Sequence, residues 1–368
     1  MTNSRAASRR TLLLTPCAAL LVAGFVPPPG AGPPVLPDVQ ATPTATASAP
    51  DPTASALKRI DPAAIRSAVE RAAKELMVPG AVVLLRTPQG TFRATVGTTE
   101  PGTAEQPTTR DHFRIASNTK TMTSVLILLL AQDGKLRLDD PVSDYVPGVP
   151  NGENITIAEK AGGRPLVQQF QDRLYRPLGL TGTSLPGISD TSLPTPYSHG
   201  YMYGGSAYAL ADEPYPADIQ AQMRSGKLKP VDYTHQNPSY ATAAGGAIST
   251  ADDLATWIRS LTTGKVLDPA FQKQWRDSPQ AEDPDAPEGQ KYGYGIAYQR
   301  FGPKAVMYYH GGELPGFNSF IGHDPDNDVT LVIWTNLTVS PDGRTTAQAM
   351  LPTVLNQIYA GLSLPGAY

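Results

Sequence analysis

The chain has 368 residues, a formal net charge of −3, 17% charged residues and one cysteine. That length can bury a large core in one or two domains. The near-balanced charge, without long single-sign runs, excludes a nucleic-acid footprint and a polybasic membrane surface.

Residues Ser4 to Arg10 are basic and Thr11 to Val26 are apolar, interrupted by Pro16. This is the profile of a signal peptide over about residues 1–30, too short and broken for a membrane span. Ser8-Arg9-Arg10-Thr11-Leu12-Leu13 also resembles a twin-arginine export address. The one cysteine, Cys17, lies inside this leader beside Pro16, a poor context for lipid attachment. No disulfide, stable membrane anchor or thiol chemistry is therefore expected of the mature, extracytoplasmic chain. Residues 31–56 are rich in Pro, Ala and Thr and cannot bury a core, so they read as a linker. The folded domain is expected over residues 57–366.

Asp61-Pro62 is a helix start, an acid N-cap before proline at the first helical position. Ile65, Val69, Ala72 and Leu76 fall on one face, and Pro79-Gly80 ends the pattern. Two strand-like runs follow, Ala81–Arg86 and Thr91–Gly97, joined by the turn signal Thr87-Pro88-Gln89-Gly90. After a loop comes Phe113-Arg-Ile-Ala-Ser117-Asn-Thr-Lys120 and an apolar helix closing at Asp133-Gly134. Residues three apart share a helix face, so the Lys120 amine can reach the Ser117 hydroxyl. An acyl-transfer serine in a first turn also gains from free N–H groups and the positive helix end. Ser55-Ala-Leu-Lys58 matches the same spacing, so the pair alone decides little.

At the far end, Ala305–His310, Phe317–His323 and Val329–Thr335 read as three strands. They precede a helix from about Thr345 to Leu362 that contains Pro352. The expected fold is α+β: a five-stranded antiparallel sheet flanked by the N- and C-terminal helices, plus a truncated helix- and loop-rich subdomain across a cleft. Ser249-Thr250 before Ala251-Asp252-Asp253 reads as a helix N-cap and Tyr145 as structural, and neither Tyr145 nor Tyr240 is assigned as a base. Five histidines without His-x-x-x-His spacing give no metal site, and no cofactor is expected.

Three blocks resemble the serine β-lactamase and penicillin-binding superfamily, in the branch of class C β-lactamases, D-alanyl-D-alanine carboxypeptidases and related esterases. They are the Ser117 block with Leu136-Arg-Leu-Asp139-Asp140-Pro141; Ala243-Ala-Gly245-Gly246 through Leu254; and Tyr292-Gly-Tyr-Gly295 with His310-Gly311-Gly312. The resemblance implies a Ser117 acyl-enzyme, with Lys120 as base or electrostatic support for the alkoxide. It implies an oxyanion hole from the Ser117 and Glu313 N–H groups. His310 would offer a hydrogen bond or charge to a substrate carboxylate, while Gly311 replaces the usual hydroxyl residue and favours simpler esters or amides. Substrates would be small molecules or peptidoglycan peptides, with β-lactams as acylating ligands, and the protein a monomer. One departure stands out: no Tyr-x-Asn occurs, and several dozen residues that would carry it are absent at Ile157–Ala158. A homologue that only binds such ligands is therefore the second reading.

Overall fold

The computed structural model describes residues 56–140, 161–204 and 214–365. The leader, most of the linker, Tyr145 and the Ile157–Ala158 junction lie outside them. Helix α1 (Pro62–Glu75) starts as its sequence dictates: the Asp61 carboxylate accepts from the Ala63 and Ala64 N–H groups. Strands β1 (Gly80–Thr87) and β2 (Gly90–Gly97) form the expected hairpin, with Thr87 opposite Gly90. The short strand β3 (Phe113–Arg114) leads into the Ser117 turn and helix α2 (Thr119–Gln132).

The middle of the chain is poor in strand. Two-residue pieces β4 (Tyr201–Met202) and β5 (Val231–Asp232) pair with each other, and β6 (Ile248–Ser249) pairs with β3. A helix over Ala251–Thr262 follows, capped by the Thr250 hydroxyl. The remaining strands are β7 (Gln280–Ala281), β8 (Lys291–Tyr292), β9 (Ala297–Gly302), β10 (Ala305–Leu314), β11 (Phe317–Asp324) and β12 (Val329–Thr335). The terminal helix spans Thr346–Ile358 with Pro352 inside it.

The main sheet runs β2-β1-β12-β11-β10-β9-β8-β7, antiparallel throughout. The five expected strands are contiguous in it, from the edge strand β2 to β10, but the count of five is corrected to eight. The three additions carry weak signals: β7 and β8 are two residues long, and β8 runs straight into Gly293. One sheet face packs on α1 and the terminal helix through Val83, Leu85, Phe320 and Ile333 against Val69, Met350 and Leu355. The other packs on α2 and the helix over Ala251–Thr262, through Val82, Leu84, Ile321 and Trp334 against Val125, Leu129 and Trp257. Alternation along β1 sends its side chains to both cores, which is why the run is apolar throughout. Among the described residues, no helix is long and apolar enough to cross a membrane.

Candidate active site

Ser117 sits in a single 3-10 turn, Ala116–Asn118, immediately ahead of α2 rather than within it. The turn is strained and tightly held. Ala116 has φ +51°, a left-handed conformation that costs a non-glycine residue about 1–2 kcal/mol. Asn118 is fully buried and clamps the turn, donating from Nδ2 to the Ile115 carbonyl (3.0 Å) and to Ser319 Oγ on β11 (2.8 Å). The Ile115 N–H donates to the Ala247 carbonyl, and Thr119 Oγ1 accepts from the Ala247 N–H. Nucleophile and sheet are thus placed by bonds that reach across the chain.

Lys120 Nζ lies 2.7 Å from Ser117 Oγ and 3.2 Å from the Ala244 carbonyl. The second sequence block therefore has a physical task. Its turn at Thr242–Gly245 supplies the carbonyl that orients the lysine, and Thr123 Oγ1 donates to its Ala243 carbonyl at 2.6 Å. Gly245 packs against the Ser117 turn, where a Cβ would make an ordinary contact with Ala116 but would crowd the Ala241 Cβ at 3.1 Å. Among the described residues, Lys120 Nζ is the group hydrogen-bonded to Ser117 Oγ. Tyr240 is exposed, with its hydroxyl toward Gln236.

The third block forms the opposite wall. Strand β10 continues through Leu314, so His310, Gly311, Gly312 and Glu313 all lie in the sheet. Gly312 must be glycine: a Cβ there would stand 2.2 Å from the Ile115 carbonyl oxygen and 2.6 Å from Asn118 Nδ2. The strand therefore lies directly against the Ser117 turn. Gly311 points the other way, and a Cβ there would meet Gln348 Nε2 of the terminal helix at 2.6 Å. A hydroxyl residue at 311 would run into that helix instead of entering the cleft.

His310 is buried, with Nδ1 against the Gly311 carbonyl and Nε2 2.8 Å from the Tyr292 hydroxyl. Burial pushes its pKa down to about 4, and the nearby Lys120 charge pushes the same way. The imidazole is therefore neutral at physiological pH, with both nitrogens engaged inside the protein. Of the two roles expected of His310, a hydrogen bond or a positive charge, burial favours the hydrogen bond. The part played by Tyr292 of the third block emerges only in the fold, where it reaches from β8 to His310 on β10. Its segment is pinned to α2 at Gly295, whose φ is +64° and whose Cβ would lie 2.6 Å from the Lys120 carbonyl oxygen.

Arg114, next to the turn, is wholly buried. It ties two loops together, donating to the Thr234 carbonyl (3.2 Å) and the Thr191 carbonyl (2.7 Å). Among the described residues, no group of three or more His, Cys, Asp or Glu side chains is placed to hold a metal ion.

The family model described as Beta-lactamase matches residues 65–159 and 156–355 of this chain. Its two stretches meet at the Ile157–Ala158 junction, where the sequence lacks the Tyr-x-Asn segment. Among curated proteins, protein flp of Staphylococcus aureus is 51% identical over 57 residues, 15% of this chain and 11% of that protein. D-alanyl-D-alanine-carboxypeptidase/endopeptidase AmpH of Escherichia coli is 40% identical over 86 residues, 22% of each. These alignments thus span less than a quarter of either relative. Among solved structures, a D-stereospecific amidohydrolase from Streptomyces sp. superposes with TM-score 0.64 at 23% identity, covering 82% of this chain and 100% of that one. D-amino acid amidase from Ochrobactrum anthropi superposes with TM-score 0.65 at 19% identity, over 80% and 98%. A penicillin-binding protein homologue from Pyrococcus abyssi, an octamer, gives 0.63 at 17%, over 81% and 78%. These likenesses show the fold.

Proposed function

The chain belongs to the β-lactamase family, and we propose that it is a secreted serine hydrolase that forms an acyl-enzyme on Ser117. The observation that carries this reading is the 2.7 Å contact between Lys120 Nζ and Ser117 Oγ, in a turn whose strain is held by β10 and β11. Ser117 Oγ bonds to the carbonyl carbon as its proton passes to Lys120, which must enter this step as the neutral amine. The leaving amine or alcohol takes that proton as its bond breaks. Water then releases the acyl group and restores the serine. The N–H groups of Ser117 and Glu313 take the developing oxyanion, a hole in which removal of even one donor costs about 10²–10³ in rate in other enzymes.

The third-block wall supports a narrower substrate class, neutral amides, esters or lactams in preference to peptides ending in a carboxylate. His310 is neutral and internally bonded, and position 311 offers no hydroxyl to the cleft. Secretion rests on the leader profile alone. The test is to incubate the wild type and Ser117→Ala with a fluorescent penicillin and an activated ester. Ser117-dependent labelling or turnover supports the reading, and neither would sink it. The missing Tyr-x-Asn favours a second reading, a homologue that binds peptidoglycan-like peptides without acylation. Saturable binding unchanged in Ser117→Ala, with no labelling, would select it.

A further inference from the structure

We propose that Tyr292 is a positioning residue for the reaction at Ser117, acting through His310 on the oxyanion strand; this rests on the hydrolase reading above. Hydrogen-bond polarity fixes the arrangement. His310 Nδ1 faces the Gly311 carbonyl, which can only accept, so Nδ1 carries the ring proton. Nε2 of the neutral ring then has a lone pair, and the Tyr292 hydroxyl donates to it across 2.8 Å. The relay runs one way, from Tyr292 Oη–H to His310 Nε2 and from His310 Nδ1–H to the Gly311 oxygen.

The Gly311 carbonyl belongs to the peptide preceding the one that presents the Glu313 N–H. Only the Gly312 Cα separates the two peptides, and glycine is the residue with the most conformational freedom to lose. Glycine is required at 312 by the close approach of Ile115 and Asn118, so the strand cannot gain stiffness from a side chain there. The imidazole supplies the missing constraint by holding the neighbouring carbonyl. Tyr292 in turn fixes the imidazole, and its own segment is anchored on the lysine helix through Gly295 and the bond from Ser124 Oγ to the Tyr294 carbonyl at 3.0 Å. One mechanical path thus connects the helix carrying Lys120 to the strand carrying the oxyanion donor. Because the Tyr292 proton is committed to His310, Tyr292 does not replace the absent tyrosine as an acid. It aims the hole.

Two measurements test this. Nitrogen-15 NMR of histidine-labelled wild-type protein reads the His310 tautomer directly and needs no variant. A protonated Nδ1 with a pyridine-like Nε2 is expected, and a protonated Nε2 overturns the proposal. Tyr292→Phe keeps the ring and removes the donor. It is expected to lower kcat on an activated ester about tenfold with KM within about twofold, since small misplacements of catalytic groups act on rate. The His310 signals should at the same time shift to a mixture of tautomers. Unchanged kcat in a variant whose wild-type parent acylates overturns the role of Tyr292 alone. Absence of Ser117-dependent acylation in the wild type overturns the hydrolase reading instead.

Discussion

The two faces of the central sheet are built to different rules. Against α1 and the terminal helix, the packing is mostly hydrocarbon: Val83, Leu85, Phe320, Leu331 and Ile333 meet Ile65, Val69, Met350 and Leu355. Against α2 the packing is equally apolar at its centre, yet its margin carries a left-handed Ala116, a buried Asn118, a buried His310 and a wholly buried Arg114. Such features each work against stability unless their partners hold them. The other face has buried polar groups too, Asn318 accepting from the Ala347 N–H and Asp324 from the Tyr359 hydroxyl, but these tie strand β11 to the C-terminal segment rather than placing the nucleophile.

Substitutions can separate the two faces. Ser117→Ala should remove activity by about 10⁴-fold or more while leaving the thermal midpoint unchanged, checked by ester turnover and calorimetry. Leu355→Ala, on the helix-packed face, should do the reverse. It should lose about 2–5 kcal/mol in urea unfolding while kcat per folded molecule stays constant. Gly312→Val joins the two effects, because its side chain must displace the Ile115 carbonyl or Asn118. Turnover should fall about 100-fold, with a stability loss of about 1–3 kcal/mol. Asn118→Ala should cost about 1–3 kcal/mol by leaving the Ile115 carbonyl and Ser319 without their donor, and should slow acylation measured in single turnover.

The last effect is a pH slope. His310 and His323 are both buried with pKa values pushed down to about 4. In the unfolded chain they titrate near the ordinary value of about 6.5. The unfolded state therefore binds protons that the folded state refuses, and stability falls as pH drops from about 6.5 toward 4. Urea midpoints across that window should show the decline, and His323→Gln should flatten part of it.

Much of the fold was legible because long elements carry repeated signals. The Asp61-Pro62 cap, the hairpin at Pro88-Gln89, the close of α2 at Gly134 and the N-cap at Thr250 all appear where their local chemistry puts them. Strands β7 and β8 were not legible, since two residues cannot show a period and glycines surround Tyr292. The reach of β10 through Gly311-Gly312 was missed for a related reason. Paired glycines read as a break, whereas here the missing side chain at Gly312 admits the Ser117 turn and that at Gly311 admits Gln348. The Ser117–Lys120 pair could be read from spacing, but the Ala244 carbonyl, the Asn118 clamp and the Tyr292–His310 bond join residues distant in sequence. Spacing cannot reveal such pairs.

The ends of the described domain meet. Leu57 bridges Tyr359, the Ala360 N–H donates to the Ala56 carbonyl at 2.9 Å, and the Lys58 N–H to the Ile358 carbonyl at 2.8 Å. Both ends belong to the face covered by α1 and the terminal helix, across the sheet from Ser117. The domain is therefore nearly a closed loop of chain. A short peptide joining residues 56 and 365 would leave every strand pairing intact, allowing new termini to be cut elsewhere on the surface. By the same geometry, a bead, a surface or a second protein fused at either end would sit behind the sheet and leave the mouth of the cleft facing outward.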